Sequence, residues 1–263
     1  MLITVIGSSG SVSGPESAAS CYLVQAEEAG KITSVVLDMG SGAYGQLSRY
    51  LDPGMVDALL LSHLHADHVV DTTSLEVHLK YAPTGPYPPM PVYGPEGTED
   101  RLRELTGFCK EPPKNDVAPY PFTFRTWQVG KTFHIGALSI EVFEVVHPVP
   151  AYAMRITGPA ETGNEERVLT YSGDTDSCDG LIDAARGADL FLCEAAFEEG
   201  RDSVRGIHLT GRRAGAAASE AGVRRLALTH IPPWSSRSTI RAEACTEFAG
   251  PIDVAEPGAS WTL

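Results

Sequence analysis

Short apolar runs alternate with segments of helical periodicity along almost the whole chain. Runs of apolar and β-branched residues predict strands, and apolar residues that recur every three or four positions predict helices. The predicted strands are 2–6, 21–25, 32–38, 56–61, 122–128, 138–146, 151–157, 168–171, 189–193, 225–229 and one at the carboxyl end. The predicted helices are 43–51, 69–80, 98–106, 179–186, 211–221 and 238–248, the fifth with Thr210 as its N-cap. This alternation predicts a layered α/β architecture.

Two proline-rich stretches interrupt the pattern. Residues 82–95 contain six prolines and residues 112–121 contain four. Proline lacks a backbone N–H and has a fixed φ, so it disfavours helix interiors. Both stretches are therefore predicted to be loops, the first a semi-rigid surface loop. Polar motifs lie on both sides of each loop, and we therefore expect one domain over residues 1–263.

The charge and cysteine content indicate which binding partners and which cellular compartment to expect. The 263 residues include 34 acidic and 20 basic residues, for a net charge of -14. Proteins that bind nucleic acids usually present a basic face, so this balance argues against a long nucleic acid as partner. The five cysteines form no CxxC pair, the amino terminus lacks a signal-peptide pattern, and no apolar run reaches membrane-spanning length. These features predict a cytoplasmic protein without a membrane partner.

The strongest chemical signal is a cluster of histidines directly after the apolar run 56–61. Residues 62–68 read Ser-His-Leu-His-Ala-Asp-His. Neutral imidazole and carboxylate groups suit Zn²⁺, with Mn²⁺ and Fe²⁺ as alternatives. Alternation along an extended turn lets His63 and His65 face one ion while Asp67 and His68 face another. A polar turn with surface histidines is the other interpretation, but such turns normally use Gly, Asn, Asp and Pro.

Three further polar residues follow predicted strands: His147, Asp174 and His230. Loops at one edge of a sheet can converge, so these residues are candidates for the remaining metal ligands. Taken singly, His147 or His230 is better explained as a hydrogen-bonded structural histidine, and the argument for ligands depends on the whole set. His78 and His134 are interpreted as ordinary surface or helix residues.

The order of these motifs resembles that of the metallo-β-lactamase superfamily. The resemblance runs from residue 2 to about residue 233. It implies a four-layer αββα sandwich with two divalent metal ions, zinc before manganese or iron. The implied ligands are His63, His65 and His147 for one ion and Asp67, His68 and His230 for the other, with Asp174 bridging. Asp174 occupies the position at which true β-lactamases have cysteine, and this argues against that branch.

Two more motifs resemble those of the ribonuclease Z and phosphodiesterase branch. Residues 194–197 resemble its Glu-Ala-x-Phe segment, and residues 208–210 resemble its His-x-Thr motif. The resemblance implies that Asp67, Glu194 and His208 form the catalytic set. His208 would protonate the departing oxygen, and Glu194 would hold its imidazole, while a water activated by the metals attacks phosphorus. A solvent-facing histidine and an ordinary strand-end acid are the alternatives for His208 and Glu194.

The spacing of the motifs bears on substrate size. Ribonuclease Z enzymes carry a tRNA-gripping arm between the single-His and the Gly-Asp motifs, but here only 27 residues lead from His147 to Asp174. A small phosphodiester is therefore expected. The chain looks most similar to actinobacterial cyclic-nucleotide phosphodiesterases, which implies hydrolysis of 3′,5′-cyclic nucleotides such as cAMP to 5′-monophosphates. The alternatives are an arm-less tRNA 3′-processing endonuclease and a metal-binding redox or sensor protein. The resemblance also leaves a homodimer open.

Overall fold

The computed structural model describes residues 1–107, 120–163 and 165–263. Its strands are β1 (Leu2–Ser9), β2 (Ala18–Ala19), β3 (Cys21–Glu28), β4 (Lys31–Leu37), β5 (Ala58–Leu60), β6 (Met90–Gly94), β7 (Phe122–Thr126), β8 (Phe133–Ile135), β9 (Leu138–Glu144), β10 (Tyr152–Pro159), β11 (Glu166–Tyr171), β12 (Leu190–Glu194), β13 (Leu226–Thr229), β14 (Ile252–Val254) and β15 (Ser260–Thr262). Its helices are α1 (Ala43–Leu47), α2 (Ala66–Val69), α3 (Thr72–Tyr81), α4 (Thr98–Leu105), α5 (Asp179–Ala185), α6 (Gly211–Ala221) and α7 (Arg237–Ala244), and a 3-10 turn spans Pro53–Met55.

The strands form two sheets. The first has the order β15-β1-β3-β4-β5-β6-β7, with β2 paired to β1, and the second has the order β14-β13-β12-β11-β10-β9-β8. Strands β4 to β7 run parallel to one another, as do β11 to β14. Neighbouring parallel strands need crossover connections, and several of the helices lie in them.

Three buried apolar clusters show how the layers stack. One fills the space between the two sheets, another lies between the first sheet and α1, α3 and α4, and the third lies between the second sheet and α5, α6 and α7. Along each strand, side chains alternate between the inter-sheet cluster and the cluster under the helices, because successive side chains point to opposite faces of the sheet. Leu60 and Leu192 enter the inter-sheet cluster, while their neighbours Leu59 and Phe191 pack against helices. The four-layer αββα arrangement is therefore confirmed.

The prediction of a loop over residues 82–95 is wrong for its last part. Met90–Gly94 forms β6, which pairs with β5 on one side and β7 on the other. Pro91 is tolerated because it precedes Val92, the first residue of β6 that pairs with β5, so no ladder bond is lost on that side. Most of the second proline stretch lies outside the described residues.

Other predictions stand with small changes. The Thr210 hydroxyl accepts a hydrogen bond from the Arg213 amide at the start of α6, as an N-cap does. His134 lies in the short strand β8, which the sequence pattern did not indicate, and it contacts the Ser139 hydroxyl at 3.0 Å. None of the helices in the described part of the chain is long and apolar enough to cross a bilayer.

The carboxyl ends of the parallel strands meet at one edge of the two sheets. Asp38 follows β4, Asp174 lies three residues after β11, and His230 follows β13. Hydrogen bonds join the sheets at this edge. The Tyr171 hydroxyl donates to Asp38 at 2.7 Å, and the Tyr22 hydroxyl lies 2.6 Å from that of Thr229. This edge is where ligands usually bind in open α/β sheets.

Candidate metal centre

The histidine-rich motif turns from β5 into the short helix α2. His63 and His68 are buried, whereas His65 and Asp67 are partly exposed. The turn distributes these side chains between two groups of potential ligand atoms, which are His63, His65 and His147 in the imidazole group and Asp67, His68, Asp174 and His230 in the mixed group. The structure thus brings together all seven residues that the sequence proposed as ligands. The alternation predicted for the motif is the arrangement observed.

Three ring nitrogens converge in the imidazole group. His65 Nδ1 lies 3.1 Å from His63 Nε2 and 3.1 Å from His147 Nε2. Nitrogen ligands bound to zinc at about 2.0–2.1 Å in a tetrahedron are separated by roughly 3.3 Å. The observed separations are close to that value. Three imidazoles at this spacing fit a divalent ion.

The mixed group surrounds the carboxylate of Asp174. Asp174 Oδ1 lies 3.2 Å from His68 Nε2, and Asp174 Oδ2 lies 3.1 Å from His230 Nε2. Three of these buried atoms, His68 Nε2, His230 Nε2 and Asp174 Oδ1, form no hydrogen bond with acceptable geometry. Buried polar atoms are normally satisfied, so a convergent unsatisfied set indicates a ligand cage. Asp174 Oδ2 also lies 3.7 Å from His63 Nε2 in the imidazole group.

The electrostatics suit a cation. Burial lowers the pKa values of His63, His65 and His147, which keeps these imidazoles in the neutral form that binds metals. Burial would raise the pKa of Asp174, but the surrounding histidines hold it well below its usual range. Burial likewise disfavours a charge on His68, yet Asp174 and Asp38 raise its pKa well above the ordinary value. The two carboxylates therefore favour a positive charge at His68, which either a proton or a metal ion in place of that proton can supply.

In four of these rings, the nitrogen that points away from the centre has a partner. His68 Nδ1 lies 2.7 Å from Asp38 Oδ2, and His147 Nδ1 donates to the Ile207 carbonyl at 2.8 Å. His63 Nδ1 contacts the Ser62 hydroxyl at 3.1 Å, and His230 Nδ1 contacts the Ser20 hydroxyl at 2.9 Å. Such outer partners fix the tautomer and orientation of metal-binding histidines.

Asp38 is the most important residue that sequence reasoning left without a role. Its carboxylate accepts hydrogen bonds from the amide and hydroxyl of Ser62 and from the hydroxyl of Tyr171, besides its contact with His68. It is fully buried, and its φ of 56° lies in the left-handed region. Its position directly after a buried strand was the available signal. His230 shares this backbone strain, with φ also 56°.

His208 and Glu194 form a hydrogen-bonded pair beside both ligand groups. His208 Nδ1 lies 2.8 Å from Glu194 Oε1, and Glu194 is fully buried. The carboxylate also accepts backbone N–H bonds from Thr175, Ala196 and Leu209. Burial disfavours a charge on His208, but the Glu194 carboxylate outweighs it and raises the pKa of His208 to about 9. The Glu194 carboxylate thus favours the protonated form of the ring.

Comparisons with known proteins agree with this geometry. A model of the beta-lactamase superfamily domain matches residues 33–231. The uncharacterized protein ML1173 of Mycobacterium leprae is 44% identical over 263 residues, which cover 99% of this chain and 88% of the relative. Ribonuclease Z of Myxococcus xanthus is 29% identical over 271 residues, which cover 85% of this chain and 86% of the relative.

The probable metallo-hydrolase YhfI of Bacillus subtilis is similar over its full length. It is 30% identical over 264 residues, which cover 99% of both chains. Its crystal structure, of a metallo-β-lactamase fold protein, matches with a TM-score of 0.83 at 28% identity and covers 99% of this chain and 98% of that chain. The chain therefore belongs to the beta-lactamase superfamily and is a metal-dependent hydrolase related to YhfI and ribonuclease Z.

Proposed function

We propose that this hydrolase is a phosphodiesterase that holds two divalent metal ions, with Zn²⁺ as the preferred metal, and converts 3′,5′-cyclic nucleotides to 5′-monophosphates. The observation that carries the proposal is the position of the His208–Glu194 pair. The ring centroid of His208 lies 5.5 Å from that of His147 and 5.4 Å from that of His230, so an imidazole held by a buried carboxylate stands beside both ligand groups.

The ligand atoms divide naturally between two ions. The imidazole group would hold one ion, and Asp67, His68 and His230 would hold the other. Asp174 would bridge them, since its Oδ2 is within 3.7 Å of His63 Nε2 and 3.1 Å of His230 Nε2. Ions bound there would supply Lewis-acid stabilisation of the phosphate oxygens and a water nucleophile at neutral pH.

The chain's own contribution is control of a proton. Glu194 occupies Nδ1 of His208, which leaves Nε2 as the nitrogen that can donate. When the P–O3′ bond of a cyclic nucleotide breaks, the departing alkoxide takes this proton and becomes the 3′-hydroxyl. The ring of Phe197 packs edge-on against His208, with centroids 5.0 Å apart. General acid catalysis of this kind is worth roughly 10²–10⁴-fold.

The structure between His147 and Asp174 supports a small substrate. In the described residues of this interval, β10 and β11 pair antiparallel as neighbours in the second sheet. The described residues of this interval contain no element that could serve as a tRNA-binding arm. The net charge of -14 also opposes a polyanion, whereas a single phosphodiester needs only the local positive charge of the metal centre.

An arm-less tRNA 3′-processing endonuclease is the second candidate function. It is favoured by the 29% identity to the ribonuclease Z of Myxococcus xanthus. Both activities break a phosphodiester at the same kind of metal centre, so the two candidates differ in substrate and not in chemistry.

A panel of substrates separates these candidates. The purified protein, loaded with zinc or manganese, is assayed on cyclic AMP and cyclic GMP, on bis(p-nitrophenyl) phosphate, on a precursor tRNA and on a β-lactam. We expect turnover of a cyclic nucleotide and of the activated diester, with poor cleavage of precursor tRNA and none of the β-lactam. Efficient cleavage at the tRNA 3′ end would favour the second candidate. No hydrolysis of any phosphodiester by the metal-loaded protein would reject both.

A further inference from the structure

Asp176 is a buried aspartate that the catalytic scheme does not use. Its side chain accepts four hydrogen bonds, two on each oxygen. Oδ2 accepts from the Gly206 amide at 2.7 Å and from Arg205 Nε at 2.8 Å. Oδ1 accepts from the Ser177 amide at 2.7 Å and from Arg213 on α6. This carboxylate therefore ties the loop that carries His208 both to the segment after β11 and to α6.

Gly206, Ile207 and His208 are each held by a different part of the site. Gly206 donates its amide to Asp176, the Ile207 carbonyl accepts from His147 Nδ1, and His208 Nδ1 contacts Glu194. Gly206 has a φ of 80°, a conformation that other residues rarely adopt, so the chain turns sharply at the point where Asp176 holds it.

The segment after β11 makes these connections through successive residues. Asp174 faces the ligand groups, Thr175 donates its amide to Glu194 at 2.9 Å, and Asp176 holds the loop. Asp176 also donates its own amide to the Val146 carbonyl at 2.8 Å, next to His147. One short segment thus sets the relative positions of metal ligands and proton donor.

We propose that Asp176, together with Arg213 and Arg205, is a positioning residue for the proton donor His208. The inference rests on the proposed function only in that His208 protonates the leaving group. A proton donor must come within about 2.6–3.2 Å of the oxygen that it protonates. Misplacement by about 1 Å can lower the rate by roughly 10²-fold. If Asp176 loses its bonds to Gly206, Arg205 and Arg213, the loop that carries His208 is no longer held on either side of the turn at Gly206.

The test uses Asp176→Asn and two symmetric diaryl phosphates, bis(p-nitrophenyl) phosphate and diphenyl phosphate, whose leaving groups differ in acidity. Asparagine keeps the size of the side chain but loses its charge and presents an NH₂ group to the donors. With bis(p-nitrophenyl) phosphate the leaving phenolate is stable and needs little help. With diphenyl phosphate the leaving phenolate is more basic and depends more on the proton. We expect a loss of roughly 10–10²-fold in kcat on diphenyl phosphate, and a much smaller loss on the activated ester. Metal content should be unchanged.

Asp189 offers a matched control. It lies just before β12, whereas Glu194, at the end of that strand, lies in the site. Asp189 also accepts a backbone amide on one oxygen, from Val168 at 2.8 Å, and pairs with Arg224 at 3.0 Å on the other. Asp189→Asn should therefore lower stability in a similar way without changing the leaving-group dependence. If Asp176→Asn does not fold, Arg213→Gln removes one donor and leaves the backbone bond. It should show the same selectivity with a smaller loss.

A double mutant decides whether Asp176 acts through His208. In a His208→Ala background, Asp176→Asn should cause no further selective loss, because coupled residues are not additive. Equal losses on both diesters, or a full additional loss in that background, would overturn the inference. A wild-type enzyme that cleaves both diesters but no cyclic nucleotide would reject the proposed substrate alone. His208→Ala without leaving-group dependence would reject the proton donor, and the inference with it.

Discussion

The candidate metal centre and a second cluster of histidine and carboxylate in the described part of the chain differ in one chemical respect. In the metal centre, His68 Nε2, His230 Nε2 and Asp174 Oδ1 are buried without a hydrogen-bond partner. In the second cluster, here called the loop clamp (Tyr44, Asp52, His78 and Tyr87), both nitrogens of His78 have partners. His78 Nε2 lies 2.8 Å from Asp52 Oδ1, and His78 Nδ1 lies 3.0 Å from the Tyr44 hydroxyl.

The loop clamp gives the first proline-rich loop a structural explanation. The Tyr87 hydroxyl donates to Asp52 Oδ2 at 2.6 Å, and the Tyr87 ring stacks on His78 with centroids 5.4 Å apart. A Cβ on Gly54 would lie 2.2 Å from the Tyr87 ring, so glycine is needed beneath it. The comparison shows that residue types alone do not distinguish a metal site from a structural cluster. The distinguishing feature is a set of inward-facing polar atoms that have no hydrogen-bond partner.

The largest difference between the two clusters should appear in metal content. Asp174→Ala removes the carboxylate that faces both ligand groups, so we expect the loss of at least one of two metal equivalents. Turnover should fall by roughly 10³-fold or more, because the metals supply several kcal/mol of transition-state stabilisation. Elemental analysis of protein purified without chelators measures this. His78→Ala is the control and should retain both equivalents. Equal metal loss in both variants would contradict the distinction.

His208→Ala should lower turnover while the metal content stays the same. The expected loss on a cyclic nucleotide is roughly 10²–10⁴-fold, because its alkoxide leaving group needs a proton. On bis(p-nitrophenyl) phosphate the loss should be much smaller. Steady-state kinetics on both substrates, with metal analysis of the same samples, tests this. Loss of metal would instead place His208 among the ligands.

Asp38→Asn should weaken metal binding by roughly 10–100-fold, because outer partners of metal-binding histidines orient the ring. The asparagine keeps an acceptor for Ser62 but loses the charge beside His68 Nδ1. Competition with a chromophoric chelator measures the affinity. Tyr171→Phe removes another hydrogen bond to Asp38 without touching its charge, and is the matched control. An unchanged affinity in Asp38→Asn would show that His68 is oriented by packing alone.

Asp52→Asn should affect stability and not chemistry. The hydrogen bond from Tyr87 is the main cause that lowers the pKa of Asp52 in the folded protein. Its stabilisation is therefore present above the ordinary pKa of about 3.8 and is lost as the pH falls through the lower folded value. Since the side chain is partly exposed, we expect less than about 1 kcal/mol at neutral pH.

Urea unfolding of wild type and Asp52→Asn at several pH values checks this prediction. The difference in unfolding free energy should be constant near neutrality and shrink in acid. Metal content and turnover should match those of the wild type. A difference that grows in acid would show that the carboxylate is not held in its ionised form.

The ligand motif was predictable because its chemistry is local. Residues 62–68 place four ligand side chains within one turn, and the strand before them is apolar enough to be recognised by itself. The singly placed candidate ligands His147 and His230 were harder to predict, since a hydrogen-bonded structural histidine has the same local pattern. Their assignment needed the order of all motifs along the chain.

The roles of Asp38, Asp176 and His78 could not be read in this way. Asp38 meets Tyr171 across 133 positions of sequence, and Asp176 meets Gly206 across 30. Neither residue stands in a motif with its partner. Pro91 similarly favoured a loop in the sequence analysis. Only the pairing register with the neighbouring strand shows which backbone N–H donors are needed.

The sequence by itself determined the alternation of strands and helices, the layered fold and the set of candidate metal-ligand side chains, because apolar periodicity and clustered donor atoms are properties of short segments. The tertiary structure alone decided which of the histidines converge with unsatisfied atoms, which are satisfied within a clamp, and which carboxylates orient them. Those distinctions depend on hydrogen bonds between residues that are distant in sequence, and such partners are chosen only when the two sheets pack together.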